Sequence, residues 1–421
     1  MLKKYTLKNG LRIITIPQEG TQAVTVLALV GTGSKYEKKN ISGISHFLEH
    51  LFFKGTKKRP TAFKVVEPLD KIGGIYNAFT SEELTGYYAK VSFSQIDSAL
   101  DWVSDIYLNS LFPVKEIEKE RGVIIEEINM YFDTPIMYIS ELWKSLLYGD
   151  QPAGWDIAGT KETVSKITRQ QILKYRKSQY VAKNTIICLA GNIKEQEMES
   201  KVKNYFSSIA VSRSMQKPRI VERQTVPELL LHTKKTDQTH FYLGVRTYNF
   251  LHPQRYALDI LAVILGGMMS SRLFTELREK LGLAYYVKVD AESDPDAGYL
   301  ACKAGVDNKK VEKAITVVLR EYKKLAQKKI SEKELKKAKD NLKGKLALNL
   351  EASDSKAFFY SCQEMLEGKT LKPEEIFSRI DKVSVNDILK TAKDIFRPNK
   401  LNLAVVGPFK DKEKFKKLLK I

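Results

Sequence analysis

Cysteine is scarce: three in 421 residues, at 188, 302 and 362, an odd number set far apart in apolar or mixed surroundings. That excludes a disulfide framework, and all three read as reduced thiols. Long apolar runs are missing too. The best attempt, Ala257 to Met269, is interrupted by Asp259 and two glycines, and falls short of the roughly 18 apolar residues of a membrane span. Lysines stand at 3 and 4, but Leu11-Arg-Ile-Ile-Thr-Ile16 reads as a strand and not as an export-signal core. A cytoplasmic chain with no membrane partner is therefore expected. With 43% apolar and 29% charged residues, disorder is excluded, and the length calls for two or more domains.

Acidic residues are outnumbered, 50 against 70 basic, which leaves a net charge of +20. Such a balance raises the question of nucleic acid. The lysines, however, are spread along helical patterns, densest over 309–345 and at the C-terminus, with acidic residues interleaved. Solvated helix faces account for them, and no nucleic-acid partner is expected.

The chemistry is concentrated in Gly43-Ile-Ser-His-Phe-Leu-Glu-His-Leu-Phe-Phe-Lys-Gly55, which contains His46, Glu49 and His50 in the order H-x-x-E-H. On a helix the two histidines lie one turn apart on one side, with Glu49 beside them. Ile44, Phe47, Leu48 and Leu51 fall opposite and supply a face for the core. Two imidazoles so placed can hold one zinc ion, and a neighbouring carboxylate can take a proton from its water. This order is the inverzincin signature. The plainer alternative is a helix with two partly buried histidines and a surface glutamate, so a third ligand must decide.

The helical pattern Lys115–Tyr131 carries glutamates at 116, 118, 120, 126 and 127. At about 100° per residue, Ile117, Val123, Ile124, Ile128 and Met130 define an apolar side that includes Glu120 and Glu127 and leaves out Glu118 and Glu126. Carboxylates among aliphatic groups need a compensating cation. Glu127 is accordingly read as the third metal ligand, and Glu120 as a carboxylate that orients a ligand from behind. A polar notch filled by water is the alternative.

The chain also repeats itself. Ile167-Thr168 followed by Ile172-Leu173-Lys174 recurs as Val383-Ser384 followed by Ile388-Leu389-Lys390, an offset of 216 (383 − 167 and 388 − 172). The same offset carries Tyr180 to Phe396 and Gly191 to Gly407, and Thr168 and Ser384 stand where helix N-caps belong. Two copies of one fold are expected: a domain over 1–212, a linker over 213–227 and a second domain over 228–421. The offset takes His46 and His50 to Ala262 and Gly266, so only the first copy carries a metal motif.

These pieces together resemble the pitrilysin, insulysin and mitochondrial processing peptidase family of zinc peptidases. The resemblance rests on His46-Phe-Leu-Glu-His50, on Glu127 within Glu120-Arg-Gly-Val-Ile-Ile-Glu-Glu127 after 76 intervening residues (127 − 50 − 1), and on Phe53-Lys-Gly-Thr56, Gly73-Gly74 and Asn77-Ala-Phe-Thr80. It extends over nearly the full length and is nearest to short bacterial and mitochondrial processing members. Ser270-Ser-Arg-Leu-Phe-Thr-Glu-Leu-Arg-Glu-Lys-Leu-Gly-Leu-Ala-Tyr285 is similar to the family's second signature; there Arg278 and Tyr285 correspond to residues that reach the active site. One departure is Glu126, where processing peptidases often have arginine.

The resemblance implies an α+β fold of two similar domains, each an antiparallel sheet covered by helices, closed as a clamshell around a chamber. It implies one zinc ion per chain and hydrolysis of peptides or unfolded segments. Asn77 and Ala78 correspond to an edge strand that pairs with substrate backbone, and the chain is expected to dimerise with itself or a related chain. Glu49 is the general base, with Tyr285 and Arg278 assisting at the carbonyl oxygen. Two rivals stay open: a non-catalytic structural or partner subunit of the same fold, and a nucleic-acid-binding protein with a structural zinc.

Overall fold

Ala23–Val30, Thr185–Gly191 and Leu401–Gly407 are almost wholly apolar strands. Strands that read this way are buried on both faces, and that dictates sheets with helices on either side. The computed structural model describes residues 2–421 and contains two such sheets.

The first sheet comprises β1 (Lys3–Thr6), β2 (Arg12–Pro17), β3 (Ala23–Val30), β4 (Ile75–Thr80), β5 (Thr85–Ser92) and β6 (Thr185–Gly191), in the order β1-β2-β6-β3-β5-β4. The second comprises β7 (Glu228–Thr233), β8 (Gln238–Arg246), β9 (Ala284–Ser293), β10 (Gly298–Asp307) and β11 (Leu401–Gly407), in the order β7-β11-β8-β10-β9. The offset of 216 carries β2 onto β7 and β6 onto β11, end to end (228 − 12, 401 − 185). Both sheets are antiparallel except for one pair each, β2 with β6 and β7 with β11. The N-caps at Thr168 and Ser384 are present, each closing a capping box. The α+β fold in two similar copies is thus observed.

The compact units depart from the sequential halves 1–212 and 228–421. One runs to Asn129 and adds Trp155–Pro218 and Asn349–Thr370; the other holds Met130–Gly154, Arg219–Leu348 and Leu371–Ile421. The cause is one helix in each half. Pro135–Tyr148 places Ile139, Trp143 and Leu147 against Ala301, Ala404 and Val406 of the second sheet. Its counterpart Ser353–Glu367 places Ala357 and Tyr360 against Ile14, Leu27, Leu29 and Cys188 of the first. Each helix covers a face of the sheet built by the other half of the sequence. The boundary near Pro218 falls inside the expected linker, 213–227.

The opposite face of the first sheet carries the motif helix Ile44–Leu51 and the helices Ile96–Asn109 and Val114–Asp133. Among the described residues no helix is long and apolar enough to cross a membrane.

Candidate metal centre

Eight residues are too few for a helix to stand alone in water, so Ile44–Leu51 depends on its anchors. Ile44, Phe47, Leu48 and Leu51 are fully buried, on the face expected from the sequence, and each contributes roughly 1.5–3 kcal/mol. The helix begins at Gly43, whose φ of 94° suits glycine; a Cβ there would meet Ala158 O at 2.5 Å. Gly43 has no side chain to cap the helix. Glu37 does so instead, accepting from the amides of Gly43 at 2.7 Å and Ser45 at 2.8 Å. Burial pushes the Glu37 carboxyl up to about 8, against the pull of those amides and the Ser45 hydroxyl.

The packed face turns the polar one outward. His46 Nε2 lies 3.3 Å from His50 Nε2, and Glu127 Oε2 is 3.6 Å from each. His46, His50 and Glu127 form the one group of potential metal-binding side chains among the described residues whose donor atoms converge within 4.8 Å. Glu127 comes from Val114–Asp133, held in place by Ile117 and Ile124 in the core. On that helix Glu120 is buried and Glu127 half-buried, whereas Glu118 and Glu126 are exposed. The apolar side is narrower than the wheel suggests: Val123 and Met130 are each 50% exposed. They flank the stripe 117, 120, 124 instead of belonging to it.

Behind the cluster, His50 Nδ1 meets Glu120 Oε2 at 3.2 Å, and Lys54 Nζ meets Glu120 Oε1 at 2.7 Å. A carboxylate there fixes the His50 proton on Nδ1 and turns the Nε2 lone pair toward the cluster. Burial works to raise the Glu120 carboxyl, but the bonds from His50 and Lys54 outweigh it and hold it below its ordinary value. Burial, with the neighbouring His50 charge, drives His46 down to about 3, so its ring stays neutral. Glu49 stands beside the group, its Oε2 accepting from Thr80 Oγ1 at 2.6 Å. Burial pushes its carboxyl up against Thr80 and His50, and Glu127 adds to the rise.

The donor set fits zinc. Two neutral imidazole nitrogens and one carboxylate oxygen are its usual ligands, and bonds of about 2.0–2.1 Å in a tetrahedron set donors about 3.3–3.4 Å apart. The observed separations of 3.3 and 3.6 Å match that spacing.

Residues 12–161 match the family Insulinase (Peptidase family M16), and residues 166–342 match Peptidase M16 inactive domain. The uncharacterized zinc protease YmxG of Bacillus subtilis (strain 168) is 35% identical over 411 residues, covering 97% of this chain and 98% of that one. This chain belongs to peptidase family M16. An uncharacterized zinc protease of Rickettsia felis is 35% identical to this M16 chain over 403 residues, with 96% of each chain covered. A protease from Helicobacter pylori has the same fold, with a TM-score of 0.91, 26% identity and 97% and 99% of the two chains covered. The peptidase M16 inactive domain from Pseudomonas fluorescens, at 15% identity, shares the fold with a TM-score of 0.89.

The remaining expected residues of this M16 chain lie on strand edges and on the second unit. Asn77 and Ala78 are on β4, the edge strand of the first sheet, where the Ala78 amide donates to Asn77 Oδ1 at 2.9 Å. Tyr285 is on β9, the edge strand of the second sheet, and is 73% exposed; the Arg278 guanidinium lies 5.9 Å from its ring centre. Three contributors escaped the sequence reading: Glu37, Lys54 and Thr80. Lys54 could have been found, since it stands four residues after His50, although the helix itself ends at Leu51. Glu37 and Thr80 act across loop and strand, and no local pattern reveals them.

Proposed function

We propose that this chain is a zinc-dependent metalloendopeptidase that cleaves peptides or unfolded segments inside an enclosed chamber. The observation that carries the reading is the convergence of His46 Nε2, His50 Nε2 and Glu127 Oε2 with the Glu49 carboxyl beside them. Those three side chains would hold one zinc ion, which when bound would supply Lewis acidity to water and to a substrate carbonyl.

The other roles fall to the protein. Glu49 takes a proton from the attacking water and returns it to the leaving amine. Glu120 keeps the His50 ring turned, and Lys54 keeps Glu120 ionised. The open edge of β4 at Asn77 and Ala78 offers backbone groups to an extended substrate, a mode that reads chain conformation more than side chains. Tyr285, with Arg278, binds the carbonyl oxygen as charge develops on it. A second unit with Ala262 and Gly266 at the motif positions suits substrate binding without metal chemistry. A dimer of identical or related chains completes the proposal.

The test is a zinc-loaded preparation given a quenched-fluorescent peptide library, alongside Glu49→Gln. The wild type should cleave, and the variant should keep its zinc and lose nearly all turnover. Full turnover by a contaminant-free Glu49→Gln protein would remove Glu49 from the mechanism. A zinc-loaded wild type that cleaves nothing would favour the non-catalytic subunit.

A further inference from the structure

A general base must be aimed as well as available, and a glutamate side chain has three torsions by which to miss. In this chain the Glu49 carboxylate has one hydrogen-bond partner among the described residues, the hydroxyl of Thr80, which donates to Oε2 at 2.6 Å. Thr80 is 31 residues away, so the bond is a product of the fold. Its placement follows from strand periodicity. Along β4, Tyr76, Ala78 and Thr80 share one face and Phe79 takes the other. Tyr76 and Ala78 are packed against the core beneath the motif helix, whereas Phe79 sits in the cluster on the opposite side with Phe358. A slip of one residue would withdraw the hydroxyl from Glu49. The register is pinned: Thr80 pairs with Thr85, itself fully buried and donating its hydroxyl to Thr32 O at 2.9 Å.

We propose that Thr80 is a positioning residue for the reaction, its hydroxyl holding one oxygen of Glu49 so that the other is presented to water. The inference rests on the peptidase reading, with Glu49 as base. A hydroxyl suits this task because it donates to the ionised carboxylate at short range while being too weak an acid to take its place. It also ties the base to the one edge strand of the first sheet proposed to receive substrate backbone. An extended segment added to β4 would therefore stiffen the strand that aims the base.

The experiment compares the zinc-loaded full chain with Thr80→Val, which keeps the shape and loses the hydroxyl, and Thr80→Ser, which keeps the hydroxyl. Three quantities are read: zinc Kd by chelator competition, thermal midpoint, and kcat and KM on one peptide. Thr80→Val should leave zinc Kd and KM near the wild-type values and lower kcat by about 10- to 100-fold, the usual cost of losing a partner behind a functional group. Thr80→Ser should restore most of that loss. A Thr80→Val protein with wild-type kcat overturns the proposal. So does a Thr80→Ser protein no faster than Thr80→Val, because the methyl and not the hydroxyl would then matter. A wild type that binds zinc and cleaves no peptide sinks the peptidase reading instead, and is told apart by its own rate.

Discussion

Glu120→Gln isolates the contribution of the carboxylate behind His50. Glu120 is 6% exposed and spends both oxygens, Oε2 on His50 Nδ1 at 3.2 Å and Oε1 on Lys54 Nζ at 2.7 Å. A hydrogen bond to an ionised group is worth about 1.5–3 kcal/mol and a neutral one about 1 kcal/mol. Replacing the carboxylate by an amide of the same shape should therefore cost zinc binding about 1–2 kcal/mol. Converted through the affinity scale, that is roughly 5- to 30-fold in zinc Kd. Competition against a chromophoric chelator measures it, with circular dichroism to verify the fold. Glu126→Gln, on the exposed side of the same helix, should bind zinc as the wild type does. Equal zinc Kd for wild type and Glu120→Gln would refute the claim that His50 is oriented from behind by charge.

Two other outcomes follow from burial. The folded-state value of Glu37 stands at about 8, above an ordinary 4.5, so between those limits the folded chain holds a proton that the unfolded chain releases. Stability must then fall as pH rises from about 4.5 to about 8, and Glu37→Gln should lack that decline; urea midpoints at pH 5 and 8 that shift in parallel for both proteins would contradict it. Residues 1–212 alone omit Ser353–Glu367 and leave Ile14, Ile16, Leu27 and Leu29 of the first sheet uncovered. That fragment should bind a hydrophobic dye and aggregate, and fusing 349–370 to it should cure both. Cooperative unfolding of a monomeric 1–212 fragment would show that the exchanged helix is dispensable.

How much of this could be read beforehand depended on distance along the chain. The face Ile44, Phe47, Leu48, Leu51 and the spacing of His46, Glu49 and His50 follow from helical periodicity, which a sequence displays directly. Glu127, half-buried in the fold, stood out because a carboxylate on the apolar side of a helical pattern needs a reason, and Glu126 on the exposed side does not. The fold repeat was visible because strands and N-caps recur at one offset. The helix exchange was not, since Pro135–Tyr148 and Ser353–Glu367 are amphipathic whichever sheet they cover. Likewise, Val123 and Met130 show that a wheel locates the centre of an apolar stripe better than its edges. Glu37 and Thr80 bond across 6–8 and 31 residues, where register and loop geometry decide and composition is silent.

The most direct measurement is anomalous X-ray diffraction at the zinc edge from crystals of the zinc-loaded chain. One peak is expected per chain, about 2.0–2.2 Å from His46 Nε2, His50 Nε2 and a Glu127 carboxylate oxygen. A peak bound elsewhere, or one that leaves Glu127 outside bonding distance, would contradict the account.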